Sequence, residues 1–213
     1  FKAILNNGIE ILVEVIRFIC LEEESLGVIE YKITSLNKEC NLLVEPYLDS
    51  GIKNQDSNWD DEFWKITNLV SNDFFSGIIS KTNKTNFEVC TYMSNKLFYE
   101  DKTISSSSLI KNKSKNKLSQ IFNVRVQKGK TLKLIKLGGY VSDKTNSQTN
   151  ILKSTEKIIK RVINFDFEEL LKSQIKSWKK IWEVSDIEIE GDPKSQQAIR
   201  FNIFHLNQTY TGK

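Results

Sequence analysis

Two carboxyl groups facing each other across one bond can carry out acid–base chemistry, and the chain holds adjacent acidic pairs such as Glu22-Glu23 and Asp60-Asp61. Neighbours along a strand point to opposite faces, so neither pair can flank a single bond, and both are read as solvated acids. A chemically richer mixture lies between Asn54 and Trp64, where Asn58, Trp59, Asp60, Asp61 and Trp64 crowd together. Indole faces stack on the C–H faces of sugars, while amides and carboxylates bind hydroxyls. Trp59, Asp60 and Trp64 are therefore the candidates for carbohydrate contact. The alternative is that both tryptophans pack a domain interface or a sandwich edge.

Other reactive residues are sparse. The one histidine, His205, falls in an apolar helical stretch and reads as a core histidine rather than a catalytic one. Cys20, Cys40 and Cys90 are far apart and fit neither zinc spacing nor a CxxC pair, so no metal ligands and no catalytic residues are assigned. An odd count of scattered cysteines suits free buried thiols in a reducing compartment, with a single disulfide as the alternative.

Charge is nearly balanced, with 31 basic and 27 acidic residues among 213 and a net charge of +4. Part of the excess lies in Lys111-Asn112-Lys113-Ser114-Lys115-Asn116-Lys117. No aromatic residues interleave with this run to stack bases, so it reads as a solvated turn between strands rather than a nucleic-acid grip. No segment has the roughly 20 apolar residues that a membrane helix needs. The first residue is Phe1 rather than an initiator Met, and an earlier segment carrying the first strands is expected.

The elements that must position these residues are mostly strands. Phe1, Ala3 and Leu5 alternate up to Asn6-Asn7-Gly8, a hairpin turn signal, and Ile9, Ile11, Val13 and Val15 keep period two beyond it. Further strands are read at Ile29–Ile33, from Leu43 to Tyr47, at Phe87–Val89, and over 121–126 and 132–137. Many short strands set off by Gly, Asn, Ser and Lys clusters predict an antiparallel sandwich. The stretch 105–117 is the expected exposed excursion.

After a polar linker over 142–150 the period changes. Ile158, Ile159, Val162 and Ile163 predict one helix, and Leu171, Ile175, Trp178 and Trp182 a second, with Asp166 as its N-cap and Glu169 completing a capping-box pattern. An extended piece at 186–190 precedes Asp192-Pro193, a strong helix start. The helix that follows carries Ile199, Phe201, Ile203, Phe204 and Leu206, apolar nearly all round. Such a helix needs neighbours on every side, which predicts that the chain is cut from something larger.

The run from Val184 to Asp192, followed by Gln196 to Leu206, resembles the junction of glycoside hydrolase family 65 that leads into the catalytic barrel. Pro46-Tyr47-Leu48-Asp49, Asn54, Asp56 to Asp61 and Phe63-Trp64 resemble a segment of its N-terminal domain. Arg17-Phe18, Glu22 to Glu24, Tyr31 and Thr34 to Asn37 fit the preceding strands. The resemblance implies a mainly β fold: an antiparallel β-sandwich (supersandwich) over 1–141, linker helices over 142–183, and the first helix of a truncated (α/α)6 barrel over 184–213.

It also implies an activity. Family members are mostly inverting phosphorylases of α-glucosyl disaccharides, in which a glutamic acid protonates the leaving oxygen while inorganic phosphate attacks the opposite face of the anomeric carbon. The expected substrates are a maltose-like disaccharide and phosphate, with no cofactor, and the products β-glucose 1-phosphate and a free sugar. The family's catalytic and phosphate-binding residues have no counterparts in these 213 residues, so the fragment itself is expected to be structural and inactive. Its expected partner is its own barrel domain, with scope for a homodimer but none for nucleic acid or membrane, and its expected location is cytoplasmic. Two alternatives stand: an independent carbohydrate-binding module, and a trehalose hydrolase of the same family.

Overall fold

The computed structural model describes residues 1–51, 63–104, 109–144 and 150–209, with the backbone alone over 109–112. Two compact units divide the chain, Phe1–Phe167 and Glu168–Lys213.

The first unit is built on two antiparallel sheets. The larger contains β1 (Lys2–Ile4), β2 (Glu10–Ile19), β3 (Gly27–Ser35), β6 (Trp64–Ser71), β7 (Ser76–Thr82), β8 (Glu88–Tyr99), β9 (Lys102–Thr103) and β12 (Thr131–Ser142), in the order β1-β2-β3-β12-β8-β7-β6 with β9 beside β8. The smaller contains β4 (Cys40–Val44), β5 (Tyr47–Asp49), β10 (Leu109–Lys113) and β11 (Lys117–Val126). Val44 pairs with Phe122 and Tyr47 with Ser119, so β4 and β5 run as one line interrupted at Glu45-Pro46, where proline has no N–H to give. The run 105–117 is thus not wholly an excursion: Leu109–Lys113 pairs with β11, and the lysines sit on and beside a hairpin whose turn is Ser114 to Asn116.

The sheets meet face to face. Leu97, Leu132 and Leu134 of the large sheet pack with Cys40, Phe122, Val124 and Val126 of the small one. A second patch joins Ile78 and Met93 to Leu48 and Leu118. Between these patches lies a partly buried polar pair, with Asn95 Nδ2 donating to Gln120 Oε1 at 2.9 Å. The large sheet is wider than the small one, which leaves Val15 45 % exposed in spite of its period-two placement on β2.

Helix α1 (Ile151–Val162) covers the opposite face of the large sheet, where Ile151 and Ile159 pack on Ile79, Cys90, Tyr92 and Val141. Asn150 caps it by accepting from the Lys153 amide at 3.1 Å. At the other end Lys96, projecting from β8, donates to the Ile163 carbonyl, supplying both a proton and a positive charge where helix carbonyls are unpaired.

The second unit holds α2 (Phe167–Ser185) from its second residue on, the helix starting directly after Asp166, and α3 (Pro193–Thr209). Trp178 stacks on Phe204 with ring centroids 4.9 Å apart and lies 6.1 Å from Trp182. Asp192 caps α3 through the amides of Lys194 and Ser195 at 3.0 and 3.2 Å. Ile175, placed by its spacing in the packing stripe of α2, is 59 % exposed.

Candidate functional site

Of the three residues singled out for sugar contact, Trp59 and Asp60 lie outside the described residues. Trp64 opens β6 and is 44 % exposed, its ring meeting Phe87 edge-on at 5.6 Å. It stands at one end of a groove of about 1660 Å³ in the first unit, on the side of the large sheet that faces the small one.

The groove exists because the sheets differ in length. The small sheet ends at Asp49 of β5 and at the Lys115-Asn116 turn, and these form one wall. The large sheet continues past them as a floor of four adjacent strands, β12-β8-β7-β6. In the ladder Tyr140 pairs with Thr91 and Thr91 with Ile78; one step along, Ser142 pairs with Val89, Val89 with Ser80 and Ser80 with Ile66. Tyr140 is 68 % exposed. The floor therefore has an aromatic ring near each end, with serine and threonine hydroxyls between them.

Past Gly138, β12 has lost β3 as its neighbour, and the groove runs over this free edge to the β2–β3 turn and α1. There Glu23 pairs with Arg161 at 2.5 Å, so one member of the acidic pair Glu22-Glu23 anchors the turn to the helix. The Tyr92 hydroxyl donates to the Ser25 carbonyl at 2.7 Å, and burial pushes that phenol well above its usual range.

His205 differs from its expected core setting. It is exposed on α3, with its ring edge-on to Phe201 at 4.2 Å, because only Ile203 of that helix is fully buried. Cys20, Cys40 and Cys90 are buried free thiols. Burial first, and Glu23 second, raise Cys20 to about 11, and burial also raises Cys90. Among the described residues no cluster of three or more His, Cys, Asp or Glu could hold a metal ion, and no helix is long and apolar enough to cross a membrane.

The junction residues hold one another rather than an open site. Asp186 receives two hydrogen bonds from Arg200, at 2.8 and 2.6 Å, which keep its carboxyl below the usual carboxylate range. The Gln196 amide accepts from the Ile189 N–H at 2.6 Å and donates to the Ile187 carbonyl at 2.8 Å, as a neighbouring strand would. These side chains fix the bend into α3.

The profile of the N-terminal domain of glycosyl hydrolase family 65 matches residues 1–181. The chain belongs to this family. A maltose phosphorylase of Bacillus subtilis (strain 168) is 25 % identical over 203 residues, covering 92 % of this chain and 25 % of that protein. The alpha,alpha-trehalose phosphorylase of Thermoanaerobacter brockii is 25 % identical over 205 residues, 92 % of this chain and 26 % of its own length. A kojibiose hydrolase of Flavobacterium johnsoniae is 29 % identical over 178 residues, covering 82 % of this chain and 24 % of that one. A solved structure from the human microbiome that carries a kojibiose phosphorylase name superposes with a TM-score of 0.78 at 19 % identity, over 96 % of this chain and 26 % of that one. The family 65 chain described here thus spans about a quarter of the length of the curated relatives it matches, and the sandwich with its helices is the fold it shares with the solved structure.

Proposed function

We propose that the chain is the N-terminal sandwich, helical connector and first barrel helix of an inverting glycoside phosphorylase that cleaves a maltose-like α-glucosyl disaccharide with inorganic phosphate. The supporting observation is the second unit: α3 leaves Phe201 61 % and Leu206 68 % exposed, apolar surface on two sides of the helix that is suited to further helices of a barrel. On this reading the acid that protonates the glycosidic oxygen and the groups that hold phosphate belong to that barrel. Phosphate takes the place that an inverting hydrolase gives to water, attacks the anomeric carbon from the far side and leaves as β-glucose 1-phosphate. The sandwich supports the barrel and performs no chemistry. Three buried thiols suit a cytoplasmic setting.

A hydrolase is the second reading, favoured by the 29 % identity to a kojibiose hydrolase. Phosphate dependence separates the two. The gene product extended on the C-terminal side is expected to release glucose from maltose only with phosphate, forming β-glucose 1-phosphate, while the 213-residue chain alone is silent. Release without phosphate overturns the phosphorylase reading, and activity of the 213 residues alone overturns the structural role.

A further inference from the structure

We infer that the open end of the sandwich is a non-catalytic binding groove for a neutral oligosaccharide, with Tyr140 and Trp64 as its two stacking platforms. Three inter-strand steps and four residues along the strands separate the two positions, roughly 20 Å between Cα atoms. That is room for several linked hexose rings and too far for one sugar to touch both. The rings are 68 % and 44 % exposed, so each offers aromatic surface to a ligand. Between them Thr91, Ser80 and Ser142 put hydroxyls on the floor, and Asp49 and Asn116 face them from the opposite wall.

This alternation decides the class of ligand. An apolar protein surface laid over the floor would strand those hydroxyls, the carboxylate and the amide without water, at a cost for each group. A pyranose chain instead presents C–H faces to the rings and a hydroxyl rim to the polar groups between them. Groups of both signs line the groove, Asp49 and Glu22 together with Lys115 and Lys157, which suits an uncharged ligand better than a polyanion. The whole groove, including its extension to the β2–β3 turn and α1, has about 1660 Å³, above the usual range for small-molecule sites. None of these groups takes part in the proposed phosphorolysis, and the inference does not depend on it.

The test is calorimetric titration of the chain, its fold first checked by near-ultraviolet circular dichroism, with glucose, maltose, maltotriose and maltohexaose. Affinity is expected to rise with chain length. Tyr140→Ala and Trp64→Ala should each weaken maltohexaose binding by about tenfold, and Tyr140→Phe and Trp64→Phe should restore it. Absence of heat with every sugar overturns the groove, as does equal affinity for glucose and maltohexaose, or binding indifferent to both alanine variants. Footprinting of Tyr140 in the C-terminally extended gene product covers the other occupant: protection without sugar means that the polypeptide fills the groove, and overturns the inference. Oligosaccharide binding by an extended product that performs no phosphorolysis supports the groove while removing the proposed activity.

Discussion

Tyr92 and Gly139 stand opposite each other in the β8–β12 ladder, and both serve the carbonyl of Ser25. The Tyr92 hydroxyl donates to that oxygen at 2.7 Å, and a Cβ on Gly139 would lie 1.7 Å from it. Glycine is needed here for the close approach of the β2–β3 turn. Gly139→Ala must push the turn off the sheet and is expected to cost about 3 kcal/mol. Tyr92→Phe keeps the ring and loses one hydrogen bond, about 1 kcal/mol. Urea denaturation measures both, and a Gly139→Ala protein as stable as wild type would remove the close approach.

Lys96 joins the sheet to the last turn of α1 through the Ile163 carbonyl. Lys96→Met retains the aliphatic stem and removes the donor, and is expected to cost about 1 kcal/mol. Amide hydrogen exchange should then speed up first over 159–163. Unchanged protection there would mean that the helix end does not rely on this lysine.

Asn95 Oδ1 is closed off from solvent and has no hydrogen-bond partner among the described residues, although its Nδ2 donates to Gln120. Asn95→Leu alone leaves Gln120 unpaired between two apolar patches and should cost about 1–3 kcal/mol. Replacing both residues by leucine should recover most of that loss, because the two patches then merge. A double variant no more stable than Asn95→Leu alone would show that leucines cannot replace the amide pair.

Cys20, raised from 9.0 to about 11, is protonated in both folded and unfolded chains at neutral pH. Its folded value lies above its unfolded one, so its contribution is complete below about 9 and is lost as pH climbs towards 11. Stability should fall over that window and fall less in Cys20→Ala, as read by denaturation at stepped pH. An identical alkaline loss in the variant would assign the effect to other groups.

Much of the fold was legible where one face of an element is wet. The Asn6-Asn7-Gly8 turn is present, with Gly8 at φ 74°, and the two strands it joins pair as read. The helix start at Asp192-Pro193 is also present. Strands β7 and most of β8 left no period-two trace, because Cys90 and Tyr92 face α1 while Met93 and Leu97 face the small sheet, so both faces are apolar. Strand β10 hid behind a polar composition that suits a sheet edge. Trp64 could be singled out by type alone, whereas Tyr140 could not, since only the ladder brings these distant residues onto one floor.

The chain leaves the large sheet from β12, which is flanked by β3 on one side and β8 on the other. A pull on the segment after Ser142 would therefore load two antiparallel ladders lengthwise, in shear, instead of peeling an edge strand one bond at a time. Tension arriving on the segment after Ser142 meets a strand held by neighbours on both sides. In single-molecule stretching, attachment at residue 144 should give a higher rupture force than attachment at the β6 edge, and equal forces would contradict this load path.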